Sequence, residues 1–233
     1  MIWFLWACTP EVQEVQVTGT VFADRFDDSD SVADAGVQLM DGALRAMAEI
    51  NTDADGAFEG TVAGGGLLYV DLSADGYAPT GFSGQVGLVD YTVPDGALWM
   101  RSDEDLEEIA AEFDGCSGAG EDDMGLLEGV VELFVPGGDI DDALRVSGAW
   151  VAAATSDGEW VDACYQGEDG VYDATATGTG PNGRFALWGP TGLVAVEVGY
   201  TIGGQVIDSS RYAIYIPENG VAPFYPFWVS LPL

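Results

Sequence analysis

Apolar residues along this chain fall mostly at every second position. Val15, Val17 and Val21 alternate with other residues, Leu127 and Val131 do so around Gly129, and two further runs are Leu68, Val70, Leu72 and Val194, Val196, Val198. Such alternation puts one face of a strand on a core and the other in water. One stretch departs from it. Leu106, Ile109, Ala110 and Phe113 sit at i, i+3, i+4 and i+7, a single helical stripe. Ser102 precedes three acids at 103–105, which favour a helix N-terminus, and Asp114-Gly115 ends the run. Residues 44–50 favour helix by composition, but they lie between turn signals at Asp41-Gly42 and Asp55-Gly56, so a strand is expected there. The pattern predicts an all-β chain with one helix over 102–113.

The alternating runs come in two copies. Thr52-Asp53-Ala54-Asp55-Gly56-Ala57-Phe58 returns as Thr179-Gly180-Pro181-Asn182-Gly183-Arg184-Phe185. Asp-Gly and Asn-Gly tolerate the positive φ of a tight hairpin turn, so the flanking Thr and Phe are expected on paired strands. Other landmarks keep the same order. Gly19 and Gly129 lie on the first strands, Gly36-Val37 and Gly148 to Val151 precede the turn, and Pro94-Asp95-Gly96 and Pro217-Glu218-Asn219-Gly220 come near the close. The central and last glycines are 96 − 56 = 40 residues apart in one copy and 220 − 183 = 37 in the other. A tandem repeat of one β-sandwich follows, over 15–101 and 124–233, joined by a helix-containing linker at 102–123. The second copy is longer before its turn, 183 − 148 = 35 residues against 56 − 36 = 20. This insertion holds Trp160, Cys164 and Tyr172 and reads as a long hairpin.

Charge removes several functions. Forty acids face six basic residues, all Arg, for a net charge of −34, and there is no His or Lys. Such a surface repels phosphate backbones, which sets nucleic acid aside as a partner. Without His or Lys there is no Ser-His-Asp triad, Schiff-base Lys or P-loop Lys, and three Cys are too few for a thiolate zinc site. No enzyme activity and no cofactor are expected. Asn51-x-Asp53-x-Asp55-Gly56 begins like an EF-hand loop, but Val62 stands where the bidentate Glu is needed. A loose, weak Ca2+ site at Asp53 and Asp55, with Asp27, Asp28 and Asp30, is the one metal alternative; solvated turn acids are the simpler reading.

The N-terminus bears on location. Residues 1–8 are apolar, too short to span a bilayer, and end in Leu5-Trp6-Ala7-Cys8. That tetrapeptide resembles a bacterial lipobox, which implies a signal segment at 1–8, lipid on Cys8, a polar tether over 9–14, and an exported protein at the outer membrane or cell surface. The alternative is an unmodified Cys after an ordinary apolar start. With Cys8 acylated, Cys116 and Cys164 are the remaining pair, expected as a disulfide in an oxidising compartment, with two buried thiols as the alternative.

Gly36-Val37, then Thr52-Asp53-Ala54-Asp55-Gly56-Ala57-Phe58, then Gly66-Leu67-Leu68-Tyr69-Val70-Asp71-Leu72-Ser73-Ala74-Asp75-Gly76-Tyr77 resembles the carboxypeptidase regulatory-like domain. The resemblance covers residues 15–101, and Gly199-Tyr200 extends it less closely to the second copy. It implies a transthyretin-like, Ig-like sandwich of seven strands and a non-catalytic accessory role on exported proteins. Two functions from different classes follow: a membrane-anchored structural or binding module of the bacterial envelope, with an envelope protein or polysaccharide as partner, or a carbohydrate-binding protein with Trp160, Tyr165 and Tyr172 as sugar platforms. For Trp150, Trp188 and Trp228, on strand-like runs, core packing is expected.

Overall fold

The computed structural model describes residues 13–23, 30–94, 96–113, 116, 123–134, 144–154, 158–189, 191–202 and 205–230. The first copy contributes β1 (Glu14–Thr20), β2 (Gly36–Met40), β3 (Ala46–Asn51), β4 (Ala57–Ala63), β5 (Gly66–Ser73), β6 (Thr80–Val86) and β7 (Tyr91–Thr92). Helix α1 (Asp103–Glu112) follows. The second copy contributes β8 (Gly125–Phe134), β9 (Leu144–Arg145), β10 (Ala149–Ala154), β11 (Trp160–Asp162), β12 (Cys164–Gln166), β13 (Tyr172–Asp173), β14 (Arg184–Gly189), β15 (Gly192–Ile202), β16 (Gln205–Ile216) and β17 (Val221–Ser230). The chain is all-β with one short helix, and residues 46–51 are a strand despite their helical composition.

The two copies share one pairing scheme. β1 pairs β4 antiparallel and β7 parallel, and β8 pairs β14 antiparallel and β17 parallel. On the facing sheet the orders are β3-β2-β5-β6 and β11-β10-β15-β16. Each pair of sheets closes on its own core. Val15, Val17, Leu39, Phe58, Leu68 and Val70 are among the buried residues of the first, and Leu127, Val151, Phe185, Val196 and Phe227 of the second. Burial along β1 and β4 alternates strictly, as the period-two pattern requires.

The repeated heptapeptide makes the same bonds twice. Thr52 Oγ1 donates to Val32 O (2.7 Å) and accepts from Ala35 N (2.9 Å); Thr179 Oγ1 donates to Val146 O (2.5 Å) and accepts from Ala149 N (3.0 Å). Val21 N donates to Gly56 O and Val131 N to Gly183 O, at 2.9 and 2.8 Å. Ring atoms of Phe58 and Phe185 stand within 2.9 Å of where a Cβ on Gly19 or Gly129 would be, which is why those strand positions are glycine. The turn itself is not the expected hairpin. β3 and β4 belong to different sheets, so residues 52–58 form an arch that carries the chain across the sandwich, with Thr52 just past β3 and Phe58 on β4, strands that do not pair.

The sandwiches are spliced edge to edge. β17 of the second copy meets β6 of the first in parallel at one pair, Val221–Thr80, giving a ten-stranded sheet ordered β13-β12-β14-β8-β17-β6-β5-β2-β3, with β9 on β8. Beyond that pair β6 turns to β16, with Gly81 against Pro217 and Ser83 bonded to Tyr215 N, and β17 is irregular between Ala222 and Tyr225. A charged pair closes the joint: Arg101 reaches Glu128 on β8, which is buried, and the same guanidinium lies 4.4 Å from the centre of the Trp99 ring. The insertion does not remain a plain hairpin. Its β12 and β13 extend the long sheet beyond β14, while β11 extends the facing sheet.

Helix α1 starts as its sequence indicates. Ser102 caps it by accepting a hydrogen bond from Asp105 N (3.1 Å), and three acids occupy the first turn. Its apolar stripe of Leu106, Ile109, Ala110 and Phe113 packs on Leu126, Ala186, Trp188 and Val221 of the second copy and on Ala78 of the first.

Candidate functional site

Just beyond the splice, β6 and β16 run side by side. Tyr215 N on β16 donates to Ser83 Oγ on β6 at 2.8 Å, and a Cβ on Gly81 would lie 2.7 Å from Tyr215 O. From that contact the two strands separate, leaving a groove of about 890 Å3 between the sandwiches. Leu67 and Phe82 line one wall, Tyr212, Ile214 and Trp228 the other, and Trp99 lies on the loop before Arg101. Tyr212 is held in place by its own main-chain partner: its hydroxyl donates to Trp228 O (2.8 Å) and accepts from Trp228 N (2.9 Å). Arg211 at the rim is paired with Glu197 at 2.8 Å. The groove can bury an apolar guest. Among the lining residues no pair of groups is placed for acid–base or nucleophilic chemistry.

Several titrating groups at the joint and on β8 are shifted by burial. Burial pushes the Asp71 carboxyl up, against the lowering effect of a hydrogen bond from Tyr215. The Tyr215 hydroxyl is pushed up to about 12, first by burial and then by the Asp71 charge. Asp71 Oδ1 and the neighbouring Tyr69 hydroxyl are buried without a hydrogen-bond partner. Glu132, beside Arg145 at 2.7 Å, is also raised by burial. These groups face packed protein, the environment of structural ion pairs as well as of functional sites.

The aromatic trio does not assemble. Trp160 is 49% exposed on β11, but Tyr165 is buried at 4%, its hydroxyl accepting from Val151 N (2.8 Å) and donating to Val151 O (3.2 Å). Tyr172 packs against Phe113 with ring centres 4.3 Å apart. Tyr165 and Tyr172 are therefore core and helix contacts, because β12 and β13 became sheet strands. Trp188 is buried under α1, while Trp150 and Trp228 are half-buried.

The turn acids are engaged by their own backbone. Asp53 Oδ1 accepts from Asp55 N and Ala57 N, both at 2.9 Å, and Asp55 is exposed. Asp27 and Asp28 lie outside the described residues, and among the described residues no three His, Cys, Asp or Glu side chains gather at metal-binding distance. Cys8 also lies outside them. Cys116 and Cys164 form a disulfide with Cα atoms 6.0 Å apart, tying the end of α1 to β12. No local pattern in the sequence encodes the groove, since it is made by two strands whose contact residues, Ser83 and Tyr215, are 132 positions apart.

No protein-family model matches the sequence, and a comparison with curated proteins finds no match. Among solved structures, the Bacillus anthracis TIE protein is similar at 16% identity and a TM-score of 0.31, over 94% of this chain and 34% of that one. The minor pilin of Streptococcus agalactiae is similar at 12% identity and 0.29, over 94% and 97%. A shaft pilin of Lactobacillus rhamnosus GG is similar at 11% identity and 0.26, over 96% and 99%. The chain spans about a third of the length of the first of these. Among the described residues no helix is long and apolar enough to cross a membrane.

Proposed function

We propose that this chain is a non-catalytic, exported module of the bacterial envelope, held at the membrane by lipid on Cys8 and built from two carboxypeptidase regulatory-like sandwiches over 15–101 and 124–233. The observation that carries export is the Cys116–Cys164 disulfide, a bond that persists in oxidising compartments and is rare in the cytosol. A structural rather than catalytic role is supported by a chain without His or Lys whose repeated bonding pattern is invested in the two arches. A surface-exposed partner, envelope protein or polysaccharide, belongs to the same reading. The carbohydrate alternative loses its stated platform with Tyr165 in the core.

Membrane fractionation of Cys8→Ser tests the anchor. The substituted protein is expected to leave the membrane fraction, and the mass of the wild-type N-terminal peptide to include acyl chains. Unchanged membrane association on that substitution would sink the anchor.

A further inference from the structure

At one end of the first sandwich the acidic surface is interrupted. The turn between β4 and β5 with the start of β5 reads Gly64-Gly65-Gly66-Leu67, and the loop after β6 begins Gly87-Leu88-Val89 before Asp90. Leu88 is 58% exposed, Val89 74% and Leu67 45%, in a protein of net charge −34. The two loops form one surface: Gly65 N donates to Val86 O and Gly87 O, and a Cβ on Gly65 would lie 3.3 Å from Leu88 Cδ2. Acids border it: Asp90 is turned back along β1, where its Oδ1 accepts from Gln16 N (2.9 Å), Asp41 pairs with Arg45 (2.6 Å) on the turn beside Leu67, and Glu14 is exposed opposite Ala63.

The described chain begins at this same surface. Gln13 O accepts from Gly64 N (2.8 Å), and Gln13 Nε2 donates to Leu88 O (2.6 Å). Between Cys8 and Gln13 there are 13 − 8 = 5 residue steps, a reach of at most about 18 Å even when fully extended. The opposite end of the sandwich, at Asp55, is farther by the seven residues of β4, about 23 Å. A lipid on Cys8 therefore keeps the Gln13 end within about 18 Å of a bilayer, while the Asp55 end is free to lie farther out.

We infer that Leu67, Leu88 and Val89 form a membrane-contacting surface that enters the lipid interface and fixes the orientation of the first sandwich. This rests on the proposed acylation of Cys8. Two or three apolar side chains bind a bilayer weakly by themselves, so they orient a protein that the lipid already holds. Arg45, on the turn beside Leu67, is paired with Asp41, and that neutral pair next to apolar side chains suits a zwitterionic surface rather than an anionic one.

The test uses the full acylated protein in phosphatidylcholine vesicles with brominated acyl chains. With Cys8 acylated and Cys116–Cys164 bonded, Val89→Cys introduces the single free thiol, which takes an environment-sensitive fluorophore; Asp55→Cys provides the comparison site. Both positions are exposed, so neither substitution disturbs the core. Bromolipid quenching at position 89 is expected to be at least threefold that at position 55, and adding Leu88→Asp is expected to reduce it while the protein still floats with the vesicles. Flotation with equal quenching at 89 and 55 overturns the oriented contact and leaves the anchor intact. A Cys8 peptide without acyl mass, with no flotation, overturns both.

Discussion

Gly56 turns with φ +72° and Gly183 with φ +69°, and in each case an added Cβ would stand 2.7 Å from a carbonyl, Val21 O in one copy and Val131 O in the other. Alanine at either position would combine left-handed strain with a backbone displacement. Gly76 has φ +81° but open space around it. We therefore expect Gly56→Ala and Gly183→Ala each to cost about 2–4 kcal/mol, and Gly76→Ala about 1–2 kcal/mol from strain alone. Urea midpoints decide this; equal losses at all three sites would show that the carbonyl contact is unimportant. The sequence made these glycines and the Ser102 cap legible because their chemistry is local. It misled at Asp53 to Phe58, where turn residues dictate φ without dictating whether the two strands that follow will pair. It misled again at Tyr165, whose side depends on which residues of the insertion join a sheet.

Strand edges set the next scale. β6 and β16 meet through Ser83 and Tyr215, and behind that contact Tyr215 hydrogen-bonds the raised carboxyl of Asp71 on β5. Because the folded pKa of Asp71 lies above its ordinary 3.8, protonation favours the fold. That contribution is full below the ordinary value and is lost as pH rises through the raised one. Asp71→Asn keeps an acceptor for Tyr215 without the buried charge, so it should be at least as stable as wild type at pH 7 and should lose this component of the pH dependence. Tyr215→Phe should lower stability at pH 7 by about 1–3 kcal/mol, since it strips a buried carboxylate of its donor, and by less at pH 4. Denaturation of both variants at the two pH values checks the sign; a larger Tyr215→Phe loss at pH 4 would contradict it. The presence of strands in each copy was readable from alternation and repeat, while their order in the sheets was not, since β3 and β4 belong to different sheets. Nor was the splice, because one Val221–Thr80 pair leaves no periodic trace.

For the whole molecule, the disulfide decides how the second sandwich holds together. Cys116 lies just past α1, whose stripe covers Leu126, Trp188 and Val221, and Cys164 lies on β12 at the insertion. The bond closes 48 residues, for which chain entropy predicts about 4 kcal/mol, a large share of an ordinary net stability of about 5–15 kcal/mol. Its loop contains β8 to β11 and no strand of the first copy, so the stabilisation falls on α1 and the second sandwich. Contact between the copies among the described residues includes one strand pair, the Arg101–Glu128 bridge, the Tyr215 contacts, Pro79 and Gly81 against Val221, Gly220 and Pro217, and the Ala78 edge of the helix cluster. Breaking the bond should therefore shift one unfolding transition and leave the other nearly in place. Calorimetry of the oxidised protein, the reduced protein and a Cys116→Ser, Cys164→Ser double variant provides the comparison. Amide exchange should then rise in α1, β8 and β12 while β1, β2 and β5 keep their protection. Equal loss of protection in both sandwiches would mean that the splice couples them into one cooperative unit.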